Sequence, residues 1–413
     1  MLVLAGGDLV LPNGILTGAS LVIEAGRIAA IEPTSRTDVG GATIVDTREC
    51  YVVPGFIDVH VHGFEGNDTL DPGEPVAAIA SRLPRYGVTA FCPTTVACAP
   101  RELSGVLAQV AQARAQRPRR SARVLPAHLE SNFINPSYAG AQPAECIRVP
   151  PHVRDGTPDA SRGVAHIARV RDGEFTARDI LDVIDVARPD VGIVTLAPEL
   201  PGGLELVRRL VSAGHRVSLG HSGASVDEAM AAIDAGAQHA THLFNRMTPM
   251  THRAPGIAGA VLAREEVAAE LICDGYHVHP AMSRIAIAAK GRDRLMAITD
   301  GTAGSGLARG ATARLGGRQI RVTDSAAVLD DGTLAGSTLT MDRAFKTIVK
   351  TFGLSPVDAA ILCSTTPARE LGLTGFGVLA RDCVADVAVL HRGFGVVRTF
   401  VAGEQVFAAE GVT

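Results

Sequence analysis

Short apolar runs alternate with longer amphipathic segments through the middle of the chain. Eight runs rich in β-branched residues lie near residues 51–58, 88–93, 122–129, 191–197, 215–220, 238–242, 268–273 and 294–299. Runs of this length and composition predict buried strands. Helical spacing follows several of them, over residues 76–86, 101–115, 176–187, 203–213 and 225–235. Gly87, Gly214 and Gly236 stand where these helices are expected to end.

This alternation predicts an α/β fold, a TIM-like (β/α)8 barrel, over residues 53–375. The main alternative, a doubly wound sheet, requires a Gly-rich phosphate loop after its first strand, and Gly63-Phe64-Glu65-Gly66 is not such a loop. The two ends of the chain, residues 1–52 and 376–413, show short strand patterns separated by Asn-Gly, Ala-Gly and Arg-Gly turns. They predict a small β-sandwich domain formed by both termini.

One segment interrupts the barrel pattern after the third apolar run. Residues 144–175 are rich in Pro, Gly, Arg and Asp and show neither strand nor helix periodicity. A long insertion at this point of a barrel can form a lid or a dimer arm. It can equally be a surface loop without function. The sequence leaves both interpretations open.

Composition and charge narrow the classes of partner. Hydrophobic residues make up 46% of the 413 positions but aromatic residues only 4%, so Ala, Val, Leu and Ile must build the core. The formal net charge is −4 without any run of like charge, which argues against nucleic-acid or membrane partners. Seven scattered cysteines contain no C-x-x-C pair, and no secretory or membrane-spanning pattern is visible. We therefore expect reduced cysteines and a cytoplasmic location.

A His-x-His pair ends the first apolar run. Side chains alternate along a strand, so His60 and His62 face the same side and can share a metal ion. The spacing alone is weak evidence, because the chain contains 13 histidines and a second such pair, His277 and His279.

The positions of four further polar residues strengthen the metal hypothesis. Glu130, His221, His242 and Asp300 follow the third, fifth, sixth and eighth apolar runs. Each is placed where a barrel strand delivers its side chain to the C-terminal rim, which holds the active sites of barrel enzymes. Four histidines with two carboxylates suit Zn²⁺ or a similar divalent ion better than Ca²⁺ or Mg²⁺.

A series of sequence blocks resembles the N-acetylglucosamine-6-phosphate deacetylase family of the amidohydrolase superfamily. The blocks are PGFIDVHVHG (54–63), HLE with FINP (128–136), VTLAPE (194–199), GHS (220–222), ATHLFN (240–245), RAPGIAGA (253–260), DGYHVHP (274–280), ITDGT (298–302) and GTLAGSTLTM (332–341). The resemblance covers nearly the whole chain. It implies a metal-dependent hydrolase that removes the acetyl group from N-acetylglucosamine 6-phosphate or a close relative, giving acetate and the free amino sugar phosphate.

The lysine content constrains how metal is held. Many amidohydrolases bridge two metals with a carboxylated lysine, but the only lysines here are Lys290, Lys346 and Lys350, too late in the chain for that position. A carboxylate must replace the lysine, and the resemblance assigns this role to Glu130.

The resemblance implies one or two divalent ions per subunit, most simply zinc. We expect a tight site formed by Glu130, His221 and His242. A second ion would be held by His60 and His62, which share Glu130 with the first site.

The resemblance also assigns the remaining catalytic and substrate-binding roles. Asp300 is expected to act as general base, taking a proton from water and returning it to the leaving amine. Asn245, Arg253 and His277 are expected to hold the sugar phosphate, for which a guanidinium and an imidazole are suitable partners. Arg253 and His277 typically reach into the neighbouring subunit's site in this family, which implies a homodimer.

Three residues depart from the family's pattern. Ser131 and Asn132 replace Gly and Pro of HLEGPF, and Gln142 replaces a histidine that contacts the acyl group. Gln142 can still donate a hydrogen bond to the substrate but cannot carry charge. The departures leave open a related N-acyl amino sugar phosphate or a slower enzyme. Cyclic amide hydrolysis, deamination, and a non-catalytic member that binds a sugar phosphate are further alternatives.

Overall fold

The computed structural model of the protein describes residues 1–34, 40–151, 174–324 and 326–410. Most of the segment 144–175 lies outside these ranges, so both interpretations of it stay open. Within the described ranges, no helix combines the length and the apolar character that crossing a membrane requires.

Eight parallel strands form the barrel that the apolar runs predict. They are Phe56–Val61, Val88–Thr95, Ala127–Glu130, Val191–Leu196, Arg216–Leu219, His239–Ala240, Ala268–Ile272 and Leu295–Ile298. They pair in chain order, and the short strand Arg123–Val124 adds to the second. The first and last strands meet just beyond their ends, where the His62 amide donates to the Gly301 carbonyl oxygen at 2.8 Å.

Helices cover the outside of the barrel. They are Pro75–Arg82, Pro100–Ala115, Ala177–Val186, Gly203–Ser212, Val226–Asp234, Gly256–Ala263, Pro280–Lys290, Met341–Lys350, Pro356–Ala360 and Thr366–Glu370. Short 3-10 turns occupy Leu83–Tyr86, Pro136–Tyr138, Ala144–Cys146 and Arg292–Arg294, and a π-helical turn occupies Ile361–Thr365. The five predicted helices are confirmed. Gly87, Gly214 and Gly236 follow their helices with positive φ, as expected of helix ends.

Strands from both ends of the chain form a second sheet. They are Leu2–Leu11, Gly14–Glu24, Arg27–Glu32, Thr43–Asp46, Cys50–Pro54, Val387–His391, Val396–Val401 and Glu404–Ala408. Cys50–Pro54 pairs with Val387–His391 and so joins the two termini. Leu4, Leu21 and Phe400 belong to a hydrophobic core of their own under this sheet. The proposed boundary between residues 52 and 53 falls inside Cys50–Pro54.

The first apolar run contains two strands rather than one. Cys50–Pro54 belongs to the terminal sheet and Phe56–Val61 opens the barrel, with Gly55 between them. A Cβ at Gly55 would lie 2.3 Å from Thr89 Cγ2, so only glycine fits this close passage between the sheets.

An additional small sheet, which the sequence patterns do not predict, follows the eighth barrel strand. Its strands are Thr312–Leu315, Arg318–Val322 and Ala327–Val328. The hairpin Gly63–Phe64 with Asn67–Asp68 lies after the first barrel strand. Leu315 from the small sheet lines the cavity at the C-terminal end of the barrel.

Candidate active site

The strand ends bring the predicted metal ligands together at the C-terminal rim of the barrel. Glu130 is the last residue of the third strand, and His221 and His242 follow the fifth and sixth strands by two residues. Their donor atoms all lie within 4.8 Å of one another. All three side chains are buried, as are His60, His62 and Asp300.

One oxygen of Glu130 contacts both histidines. Glu130 Oε1 is 2.8 Å from His221 Nε2 and 2.7 Å from His242 Nε2. The carbonyl oxygen of Tyr138 lies 2.8 Å from His221 Nδ1, so the Nδ1 hydrogen is committed there and the Nε2 lone pair faces the cluster. A carboxylate oxygen with two imidazole nitrogens is a three-ligand set suited to a catalytic divalent ion, with a position left for water or substrate.

The His-x-His pair lies beside this group and converges on Asp300. His60 Nε2 and His62 Nε2 are 3.3 and 3.4 Å from Asp300 Oδ1, and 3.8 and 3.4 Å from the oxygens of Glu130. The second candidate group is therefore His60, His62 and Asp300, with Glu130 adjacent. Asp300 can serve as a ligand of this group as well as a base.

Three of the rim residues adopt an unusual backbone conformation. His221, His242 and Asp300 have φ values of 47°, 29° and 50°. Positive φ strains a residue with a side chain and persists where the surrounding structure enforces it, typically at functional sites. The turns that these angles create lie directly after the barrel strands.

The carboxylates and histidines of the cluster shift each other's pKa values. Burial alone would raise the pKa of Glu130, but His221, His242 and His62 hold it well below its ordinary value. Burial disfavours charge on His62 and His242, yet the neighbouring carboxylates raise their pKa to about 10 and about 9. Burial lowers the pKa of His60 to about 3.

A cavity of about 440 Å³ opens onto these residues. Its lining includes His62, Glu130, His221, His242 and Asp300, and also Gln142, Asn245 and His277. Arg253 is exposed and does not line it, so the expected reach of Arg253 toward a neighbouring subunit's site stays a prediction.

Among the three departures from the family pattern, only Gln142 lines this cavity. Its Nε2 donates to Glu130 Oε2, and its carbonyl oxygen accepts from the Ala97 amide at 2.7 Å. The Ser131 hydroxyl donates to the Thr195 carbonyl oxygen at 2.6 Å. Asn132 Nδ2 donates to two backbone carbonyl oxygens, each at 2.8 Å.

His277 lines the cavity, and one of its ring nitrogens has no hydrogen-bond partner among the described residues. Asp274 Oδ2 lies 2.6 Å from His277 Nδ1, while Nε2 is buried and makes no hydrogen bond in the described structure. Asn245 Nδ2 is turned toward the backbone carbonyl oxygens of His242 and Leu243, at 3.3 and 3.4 Å.

The sequence patterns missed two charged residues here. Arg246 lines the cavity beside Asn245, and it lies over Gly140, where a Cβ would come within 2.6 Å of Arg246 Nε. Glu270 is fully buried in the seventh strand, with Oε2 2.8 Å from His60 Nδ1. The available signal for Glu270 was a lone charge inside the apolar run AAELIC.

Comparison with known proteins gives a consistent result. The amidohydrolase family model matches residues 51–406. The chain is 34% identical to the N-acetylgalactosamine-6-phosphate deacetylase of Escherichia coli O157:H7, over 97% of this chain and 98% of that protein. It is 31% identical to the N-acetylglucosamine-6-phosphate deacetylase of Bacillus subtilis, over 97% and 96% of the two chains.

Solved structures of similar proteins share the fold. The N-acetyl-D-glucosamine-6-phosphate deacetylase of Mycobacterium smegmatis superimposes with a TM-score of 0.84 at 30% identity, covering 98% of this chain and 100% of that one. The N-acetylglucosamine-6-phosphate deacetylase of Thermotoga maritima gives 0.82 at 31% identity with the same coverage. A mutant of the Mycobacterium smegmatis enzyme was solved in complex with N-acetyl-D-glucosamine-6-phosphate.

Proposed function

The chain belongs to the amidohydrolase family, and we propose that it is a metal-dependent deacetylase of N-acetylated hexosamine 6-phosphates. Water would be added across the amide bond, giving acetate and the free amino sugar 6-phosphate. The names of its relatives refer to N-acetylglucosamine 6-phosphate and N-acetylgalactosamine 6-phosphate, which differ in the configuration of one hydroxyl group. Either sugar fits the proposal.

The observation that carries this proposal is the convergence of Glu130, His221, His242 and Asp300 on one cavity. The first three supply a carboxylate oxygen and two imidazole nitrogens, a donor set that fits Zn²⁺. His60 and His62 with Asp300 form a second group, so one or two ions per subunit are expected. A divalent ion supplies electrophilic chemistry: it polarises an amide carbonyl and makes water more acidic.

Asp300 carries the proton transfers. Burial opposes its ionisation, but His60 and His62 lower the pKa of Asp300 below its ordinary value, so it is ionised near neutral pH. An ionised carboxylate lining the cavity can take a proton from the attacking water. The same group then returns the proton to the nitrogen of the leaving amine, which completes the hydrolysis.

Other residues that line the cavity would orient the sugar phosphate. We assign Asn245 and His277 to the phosphate end, and add Arg246 because it lines the same cavity. In a homodimer, Arg253 of the neighbouring subunit would complete this end. Gln142, which holds Glu130 Oε2, would form the wall beside the acyl group.

The cellular location is part of the same proposal. All seven cysteines are free. Unpaired cysteines are typical of proteins in a reducing compartment, which supports the cytoplasm.

The decisive test is a substrate panel with the zinc-reconstituted protein. The panel contains N-acetylglucosamine 6-phosphate, N-acetylgalactosamine 6-phosphate, their unphosphorylated counterparts and a cyclic amide, with acetate and free amine as the products measured. We expect one or both 6-phosphates to be deacetylated in preference to the unphosphorylated sugars. Tight binding of a 6-phosphate without acetate release, or turnover of the cyclic amide alone, would overturn the proposal.

A further inference from the structure

Glu270 is a buried carboxylate that the deacetylation mechanism does not use. It lies in the strand Ala268–Ile272 and is 0% exposed. Among the described residues its only ion-pair contacts are to two histidines, His60 and His128. A buried carboxylate without a cationic lysine or arginine is costly to the fold, so a specific role is expected.

Glu270 touches ligands of both candidate metal groups. Its Oε2 lies 2.8 Å from His60 Nδ1 and accepts a hydrogen bond from the His242 backbone amide at 3.3 Å. His60 belongs to the group with His62 and Asp300, whereas His242 belongs to the group with Glu130. One carboxylate thus reaches a side chain of one group and the backbone of the other.

The hydrogen-bond directions exclude a third metal site around Glu270, although His60, His128 and Glu270 lie close enough to form one. His128 Nδ1 donates to the Val59 carbonyl oxygen at 3.0 Å, and His128 Nε2 accepts from the Thr195 hydroxyl at 2.8 Å. Both nitrogens of His128 are therefore occupied. A ring with no free lone pair cannot ligate a metal ion.

The same directions fix the tautomer of His60. Because the carboxylate can only accept, the hydrogen of His60 must sit on Nδ1, which leaves the lone pair on Nε2. His60 Nε2 faces Asp300 Oδ1 and Glu130 Oε1. Carboxylates in this position orient metal-binding histidines and raise their basicity.

His242 depends on Glu270 in a different way. Its ring Nδ1 is buried and has no hydrogen-bond partner in the described structure. No hydrogen bond at Nδ1 therefore fixes the orientation of the ring. Its φ of 29° is strained, and the amide bond to Glu270 ties the backbone at this point.

We propose that Glu270 is a positioning residue that presents His60 Nε2 and the His242 backbone to the metal centre and thereby sets how tightly the ions bind. This inference rests on the proposed metal-dependent function, but it concerns metal binding and does not require turnover. Loss of Glu270 would weaken the group that contains His60 most, because that group loses a side-chain contact.

The test compares Glu270→Met, which fills the space but accepts no hydrogen bond, with Glu270→Gln, which keeps an acceptor oxygen. E270M leaves the His60 Nδ1 hydrogen and the His242 amide without their acceptor, so metal-free E270M should unfold at a lower temperature than the wild type, and E270Q, which keeps the acceptor, at a temperature closer to it. Glu370→Met is the matched control. Glu370 lies 3.7 Å from the ring of His239, three residues before His242 in the chain.

Zinc affinity by chelator competition, metal content, and the visible spectrum of the cobalt-substituted protein are the readouts. We expect E270M to bind zinc about 10- to 100-fold more weakly than the wild type and to change the cobalt spectrum. E270Q should restore most of the zinc affinity. E370M should match the wild type in both measurements. Wild-type affinity and spectrum in E270M would overturn the proposal. A wild type that binds zinc without deacetylating any sugar would instead overturn the proposed function alone.

Discussion

Gln142 donates a hydrogen bond from its side-chain amide to Glu130 Oε2, the oxygen that does not contact His221 and His242. Its carbonyl oxygen is fixed by the Ala97 amide, so the orientation of the side chain is determined. The residue expected to touch substrate therefore also holds Glu130, the proposed central metal ligand.

Replacing Gln142 should consequently affect metal binding as well as substrate. Gln142→Leu removes the donor to Glu130, and partners of metal ligands typically contribute 10- to 100-fold to metal affinity. We expect a loss of about that size, measured by chelator competition. Ser131→Ala is the control. It removes a hydroxyl that donates to the Thr195 carbonyl oxygen and accepts from the Phe133 amide, and it should leave zinc affinity within about twofold of wild type. Unchanged zinc binding in Q142L would show that the contact has no such role.

Asp300→Asn tests the assignment of the general base. The amide keeps the shape of the side chain but cannot accept a proton, so kcat should fall about 100- to 10,000-fold. Zinc at the Glu130 group should be retained, because Asp300 is not among its three ligands. Metal analysis and steady-state kinetics of the same preparation check both points. Near-normal kcat in D300N would exclude Asp300 as the base.

Metal binding should release protons. His62 and His242 have pKa values raised to about 10 and about 9 because burial is outweighed by Glu130 and Asp300. Both rings are protonated at pH 7.5 in the metal-free protein but must be neutral as ligands, so affinity should weaken as the pH falls. In the metal-free protein, the raised pKa values stabilise the fold below pH 6.5, the ordinary histidine value, and this contribution disappears as the pH rises through about 9 to 10.

Calorimetry of zinc binding in buffers of different ionisation enthalpy measures the protons released. We expect at least one per chain at pH 7.5, and fewer in His62→Asn. Binding enthalpies that do not depend on the buffer would contradict these protonation states.

Arg246 should distinguish phosphorylated from unphosphorylated sugars. A charge-assisted hydrogen bond to phosphate contributes about 1.5–3 kcal/mol, so Arg246→Ala should raise KM for the 6-phosphate about 10- to 100-fold. Activity on the unphosphorylated sugar should not change. Arg208→Ala, at an exposed position of the helix Gly203–Ser212, is the control. An equal change in KM for both sugars in R246A would show that Arg246 does not bind the phosphate.

The sequence predicts the rim of the site well because parallel strands impose simple geometry. Residues such as Glu130, His221 and His242 follow apolar runs, and a barrel must bring such positions to one end. The helix Gly256–Ala263 is harder to recognise, since GIAGAVLA is apolar on every face. The small sheet that begins at Thr312–Leu315 is short and largely exposed, and only Leu315, Ile320 and Val322 of its first two strands are buried, so its strand pattern is brief.

Individual side-chain pairings away from the predicted rim could not be predicted. The partner of Glu270 is His60, 210 positions away, and periodicity contains no information on that pairing. A charged residue in an apolar run indicates that a charge is buried, but it does not identify the residue that pairs with it. Arg246 is similar, because only the folded loop shows that it faces the cavity while Arg253 does not.

The most direct test of the proposed metal centre is a crystal structure of the zinc-reconstituted protein with anomalous data collected at the zinc edge. We predict an anomalous peak about 2.0–2.2 Å from a Glu130 oxygen, His221 Nε2 and His242 Nε2. A zinc-loaded crystal with no peak among these three residues, or with its only peak elsewhere, would show that they do not form the metal site.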